Sequence, residues 1–296
     1  MEKNEIFKTL SNYKKILEGK GYKVLYIGLY GSQNYNVDDE FSDIDVKAIV
    51  LPTLTDIIHR KVISTTYECE NGAIDCKDLI TFYDVIKKGN FSYIEAIDTE
   101  YSIGDRYLKT LFSQFRPNHK SIVGAMYEKR KALTHEYPSK SEEFKKYKCD
   151  PKQYHHIIRL YDLLSYNIEH NCEKSYLKYD ESKKDYMIKI KRELNGLSVD
   201  DIEKNSDLYI ERARALIDYN EPNYSYEYLN IDEEINNYIE EHIKIESIKN
   251  NPIISAREVR TFDNPIPKKD LEKFPILEQY KGNDISYIVY ESIEIL

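Results

Sequence analysis

Asp43 and Asp45 stand one residue apart at the head of an apolar run that ends at Val50. In an extended strand alternate side chains share a face, which places the two carboxylates on one side, roughly 6.6 Å apart along the chain. Two carboxylates on a strand that otherwise buries itself are costly unless a positive charge lies between them. A hard divalent cation fits, because Mg²⁺ binds through one or two carboxylates and takes its remaining oxygens from water and substrate phosphates. Upstream, Gly31-Ser32 follows a second apolar run, Val24 to Tyr30. Glycine lets the backbone turn tightly and come close to a ligand. A helical turn opening at Ser32 would aim free N–H groups at phosphate oxygens. A lone Gly-Ser pair means nothing; strand, Gly-Ser, spacer, Asp-x-Asp, strand is specific.

Lys47 alternates onto the face of Asp43 and Asp45 and is expected either to pair with them or to touch a phosphate. Tyr35 and Asn34 either line a pocket or shape the turn. A second constellation opens at Asp150, a good N-cap ahead of Pro151 in the first helical position. From there Lys152, His156 and Arg159 recur at helical spacing on one face, with His155 on its flank. Such a stripe reads equally as a solvated face or as a wall of cations that contacts phosphates, Arg159 offering a bidentate fork. Lys129 and His135 are weaker candidates for the same cleft. His59, His119, His170 and His242 are expected at the surface. No histidine or cysteine spacing suits zinc.

The Gly-Ser to Asp-x-Asp arrangement resembles the signature of the DNA polymerase β-like nucleotidyltransferase superfamily. Tyr30-Gly31-Ser32-Gln33-Asn34-Tyr35 and Phe41-Ser42-Asp43-Ile44-Asp45-Val46-Lys47 are similar to predicted nucleotidyltransferases of bacteria and phages, some with relatives in RNA-repair pathways. Lys88-Gly89-Asn90 with Glu95, the stretch from Lys129 to Ser139 and that from Asp150 to Arg159 resemble later blocks, so the likeness spans roughly residues 22–215. It implies a third carboxylate on a later strand. Asp75 is the preferred position, ahead of Glu70 and of Asp78, which reads as the N-cap of the next helix. It further implies two divalent ions, Mg²⁺ or Mn²⁺, on Asp43, Asp45 and Asp75. Gly31, Ser32, Tyr35, Lys47, Lys152, His156 and Arg159 would hold ATP or another nucleoside triphosphate. The reaction implied is transfer of a nucleoside monophosphate to a hydroxyl acceptor, an RNA end or another molecule, with release of pyrophosphate. The alternative is a non-catalytic nucleotide-binding regulator, a toxin–antitoxin or phage-defence component with a protein partner; the three carboxylates argue against it. A metal-dependent nuclease would leave the Gly-Ser turn unexplained.

Acidic residues (52) outnumber basic ones (43) in the 296-residue chain, so no global positive field draws in long nucleic acid. A free nucleotide or short RNA end suits that charge better. Four cysteines without Cys-x-x-Cys spacing, no leader-like segment and no long apolar stretch lead us to expect a reduced, cytoplasmic protein without membrane contact.

These residues need elements to hold them. The fold class expected is α+β: a small mixed-sheet domain over residues 1–105, a mainly helical domain over 106–250 that completes the cleft, and a tail of unassigned role over 251–296. Strands are expected at 24–30, 43–51 and 72–77. Helices are expected at 5–18, 79–88, 107–115, 120–134, 151–171, 183–195 and 199–219, with a shorter packed segment at 93–97. Residues 138–149 read as a polar loop, and the closing alternation from Ile285 to Ile295 as an edge strand or wrap.

Overall fold

The computed structural model describes residues 3–136, 141–171, 177–219 and 231–250. The expected alternation at the C-terminal end lies outside the described residues. Two compact units divide the chain, residues 1–228 and 229–296. The sheet and the first eleven helices lie in the first unit.

Ile6, Leu10, Tyr13 and Leu17 recur at helical spacing and form the buried stripe of α1 (Lys3–Gly19). The elements that follow are β1 (Lys23–Tyr30), a single helical turn α2 (Ser32–Tyr35), β2 (Asp45–Leu51), α3 (Leu54–Ile58), β3 (Ser64–Cys69), β4 (Gly72–Asp78), α4 (Leu79–Lys87), α5 (Phe91–Asp98) and β5 (Ser102–Gly104). The strands make one mixed sheet in the order β3-β4-β2-β1-β5. β2 and β4 are parallel and every other neighbouring pair is antiparallel. The fold is thus α+β, as the alternating and helical patterns predict.

Strand alternation sorts the sheet's two faces. Ile27, Leu29, Val46, Ala48, Val50, Ile74 and Cys76 point to one side and bury the stripe of α1. Tyr30, Asp45, Lys47, Asp75 and Lys77 therefore point to the other, the side of α4 and α5. α5 sits hard against β1. The Tyr26 hydroxyl donates to the Ala96 and Ile97 carbonyls at 3.0 Å each, and a Cβ at Gly28 would fall 1.9 Å from the Ala96 oxygen. Only glycine allows that approach.

The helical part comprises α6 (Arg106–Phe112), α7 (His119–Leu133), α8 (Ser141–Tyr147), α9 (Pro151–Glu169), α10 (Glu181–Glu193) and α11 (Val199–Tyr219). α7, α9 and α11 share one apolar core, from Ile122 and Met126 through Ile157, Leu160 and Leu164 to Ile210 and Ala213. A second core runs from Tyr35 and Val37 through Tyr154 and Ile158 to Met187 and Ile190, and joins the α2 turn to α9 and α10. In the second unit, α12 (Ile231–Asn250) is the described element.

Three expectations need correction, and two strands lie beyond those expected. The strand expected from residue 43 begins at Asp45, because Asp39 to Ser42 closes a turn that brings Ile44 to the Asn71 carbonyl (2.7 Å) before the ladder starts. The polar stretch 138–149 contains α8, whose last turn carries Lys145 and Lys146 at the negative end of the helix dipole; Tyr147 packs on the second core. β3 and β5 were not expected: β3 is an exposed edge strand without apolar alternation, and β5 is three residues long. His119, expected at the surface, is buried at the start of α7, and burial holds its pKa below the ordinary value.

Candidate active site

Tyr30 lies opposite Asp45 in the β1–β2 ladder, so the chain leaves β1 at Gly31 directly beside the second aspartate. Gly31 has φ +91°, and a Cβ there would sit 3.7 Å from Asp45 Oδ2. The turn α2 then starts at Ser32 and ends at Asn36 in the left-handed region. Asp43 is exposed on the approach to β2, and Asp45 is half-buried with Oδ1 accepting the Ala73 N–H at 3.1 Å. Burial pushes the Asp45 carboxyl up and the Asp43 charge adds to that, while the Ala73 N–H opposes it. A carboxylate in that condition gains from a cation placed between it and Asp43.

The opposing wall comes from the helical part. The Asp150 side chain caps α9 through the Lys152 N–H, and the helix then carries Lys152, His155, His156 and Arg159 past the Gly31–Asp45 edge. All four line one cavity of about 380 Å³ together with Tyr30, Gly31, Ser32, Tyr35, Asp43 and Asp45. Lys129 from α7 and Lys191 and Arg192 from α10 complete its basic side.

Two sets of contacts, one centred on Glu95 and one on α10, fix the walls relative to each other. Glu95 of α5 is fully buried and accepts the Tyr35 hydroxyl at 2.7 Å and Arg159 Nη1 at 2.9 Å. The Arg159 guanidinium also lies 4.1 Å from the Tyr35 ring centroid. Arg192 grips Asp39 with two N–H groups at 2.7 and 2.8 Å; with the Ser42 hydroxyl, that fork holds the Asp39 carboxyl far below the usual carboxylate range. Lys191 Nζ reaches Ser42 Oγ at 3.1 Å. α10 therefore clamps the loop that delivers Asp43.

His155 is 3 % exposed, and neither ring nitrogen has a hydrogen-bond partner among the described residues. Burial pushes its pKa down to about 3, with Arg159, Lys191, Lys152 and Arg192 adding to the effect. It is a neutral imidazole amid cations. His156 is likewise held well below its ordinary value, by burial first and by its charged neighbours second.

The cavity thus collects eight of the sequence-predicted residues: Gly31, Ser32, Tyr35, Asp43, Asp45, Lys152, His156 and Arg159. Lys129, a weaker candidate, joins them, whereas His135 is not in the lining. Asp75 and Lys47 are also outside it. Lys47 pairs with neither strand-face aspartate of its own segment; its Nζ lies 2.9 Å from Asp75 Oδ2. Asp78 caps α4 by accepting the Thr81 N–H, as its sequence position predicts. Among the described residues no three Asp, Glu, His or Cys side chains form a group able to hold a metal ion. Asp43 and Asp45 are two carboxylates that could contribute to a divalent-cation site if a ligand supplied the remaining oxygens.

Lys191 and Arg192 went unrecognised in the sequence, and His155 was placed only on the flank of the Lys152–Arg159 face. The two cations belong to a lysine-rich helix with no local mark, and only the packing of α10 on the α2 loop gives them a role. Glu95 lay in a block of family resemblance without an assigned role; its place is set by the buried Arg159.

No family model matches this chain, and no curated protein sequence matches it. Among solved structures, the chain is similar to a nucleotidyltransferase-like protein from Exiguobacterium sibiricum 255-15, with 11% identity, coverage of 97% of this chain and 99% of that one, and a TM-score of 0.27. That likeness is too distant to define a shared fold.

Proposed function

We propose that this chain is a metal-dependent nucleotidyltransferase that moves a nucleoside monophosphate from a nucleoside triphosphate to a hydroxyl acceptor and releases pyrophosphate. One observation carries the reading. The Gly31-Ser32 turn and the Asp43–Asp45 pair face a wall containing Lys129, Lys152, Arg159, Lys191 and Arg192 across a single cavity. Carboxylates on one side and cations on the other suit a triphosphate bound through a divalent ion, Mg²⁺ or Mn²⁺, which would supply charge neutralisation at the phosphates.

In this reading Asp43 and Asp45 hold the ion, and Gly31, lacking a Cβ, lets a phosphate approach the backbone beside Asp45. Lys152, Lys191 and His156 face the phosphate chain. Arg159 is held by Glu95 and keeps one edge toward the cavity. The acceptor oxygen forms a bond to the α-phosphorus, the bond from that phosphorus to the bridging oxygen breaks, pyrophosphate departs and the hydroxyl proton passes to water. The chain's own contribution is alignment and charge, the two effects that dominate phosphoryl chemistry.

The test is incubation with each α-labelled NTP, Mg²⁺ or Mn²⁺ and a set of hydroxyl acceptors that includes RNA ends and proteins. Label should move to one acceptor with matching pyrophosphate release, and the Asp43→Ala, Asp45→Ala double variant should be inactive. Transfer that survives that double variant overturns the reading.

A further inference from the structure

Asp75, on which the family resemblance would place a metal, is already engaged. It faces Lys47 directly in the parallel β2–β4 register, and Lys47 Nζ sits 2.9 Å from its Oδ2. The same oxygen accepts the Tyr93 hydroxyl at 2.6 Å, and Lys77 Nζ lies 3.7 Å from Oδ1. The ammonium of Lys47 is enclosed further by two aromatic faces, Tyr93 at 3.9 Å and Tyr30 at 4.5 Å to the ring centroids. A carboxylate and two ring faces form a cation-binding box. The chain fills it with its own lysine, whose side chain is 7% exposed.

Resting on the reading above, we infer that the site takes one divalent cation, on Asp43 and Asp45, and that the Lys47 ammonium stands where a second cation would otherwise be held by Asp75. The strand places Lys47 two residues beyond Asp45 on the same face, roughly 6.6 Å further along the chain. For Asp75 to ligate a metal it would have to release Lys47. That lysine would then remain buried, unpaired and beside a divalent ion of like charge. Lys47 is thus a positioning residue: it holds Asp75 and Tyr93 away from the ion and supplies a fixed positive charge behind the cavity wall at Tyr30.

The experiment counts Mn²⁺ by electron paramagnetic resonance, titrating the full chain with a non-hydrolysable α,β-methylene NTP and subtracting the nucleotide alone. One Mn²⁺ per protein–nucleotide complex is expected. Asp45→Asn should weaken Mn²⁺ binding at least tenfold, whereas Asp75→Asn should change it less than twofold. Lys47→Met, by removing the cation nearest Asp75, should raise the count to two, and a folded Lys47→Met that still binds one ion overturns the role given to Lys47; where it fails to fold, the unmodified chain and Asp75→Asn still decide the question. Two ions in the unmodified chain, or a tenfold loss in folded Asp75→Asn, overturns the inference and leaves the nucleotidyltransferase reading standing. No Mn²⁺ bound at all overturns both.

Discussion

Glu95→Gln should unfold the protein far more readily than its small change in shape suggests. Glutamine keeps the volume and can still bond to Tyr35, but Arg159 then loses its counterion while only 4% exposed. Removing one partner of a buried ion pair costs about 3–5 kcal/mol, because the other charge stays in a poor solvent. At about 1.5–2 °C per kcal/mol for a chain of this size, the melting temperature should fall by roughly 5–10 °C. The pair is not symmetric. Arginine cannot shed its proton, whereas burial already pushes the Glu95 carboxyl upward, so in Arg159→Met the carboxyl can take up a proton. The Arg159→Met deficit should therefore shrink as the pH is lowered toward about 5, while the Glu95→Gln deficit should not. Replacing both with Gln and Met removes the charges together and should recover most of the loss. Urea titrations followed by far-ultraviolet circular dichroism, run on the single and double variants, give the coupling. A Glu95→Gln loss under about 1 kcal/mol, or a double variant equal to the sum of the singles, would refute the reasoning.

Two further outcomes are expected. The folded-state pKa of His155, about 3, lies below the ordinary value of 6.5. Its contribution is intact above that ordinary value and is lost as the pH falls toward the folded value. Between about pH 7 and pH 5 this one group should remove ~2 kcal/mol, and His155→Gln should show that much less acid sensitivity in urea midpoints; equal sensitivity in the two proteins would mean that the imidazole is not held neutral. Gly28→Ala places a methyl group against the Ala96 carbonyl and should cost about 1–3 kcal/mol as α5 is forced off β1, measured as a lowered melting temperature.

Much of this site was legible in the sequence because its parts are local. Gly31, Ser32 and the Asp-x-Asp pair belong to two adjacent strand ends, and Lys152, His156 and Arg159 to one amphipathic helix; spacing alone puts each set on a face. Asp150, Pro151 and Asp78 announced their helices by capping chemistry. What was hidden depends on contacts between distant segments. The Lys47–Asp75 pairing requires the parallel β2–β4 register, which no local pattern fixes, and so the strand-face alternation left Lys47 open between two roles. The Lys191 and Arg192 contacts to Ser42 and Asp39 span about 150 residues of chain. β3 was hidden for the opposite reason: an edge strand that buries little gives no alternation to read.

The same contacts that fix the fold also limit how the cavity can move. Moving α9 away from the α2 turn means breaking a bond set in which Glu95 is fully buried and Arg159 nearly so. Moving α10 means releasing the Asp39 carboxylate from a two-pronged arginine and separating an apolar core shared with Tyr35 and Val37. Each step leaves buried charge or apolar surface uncompensated, at a cost of several kcal/mol. The basic wall and the carboxylate edge are thereby held at a fixed separation before any ligand arrives. Such preorganisation keeps the like charges of the wall together at the expense of stability, and an incoming polyanion relieves that repulsion. On the proposed reading, inorganic triphosphate should therefore raise the melting temperature by binding the folded cavity, and His155, whose protonation is disfavoured by its burial and then by those cations, is the group best placed to register the change.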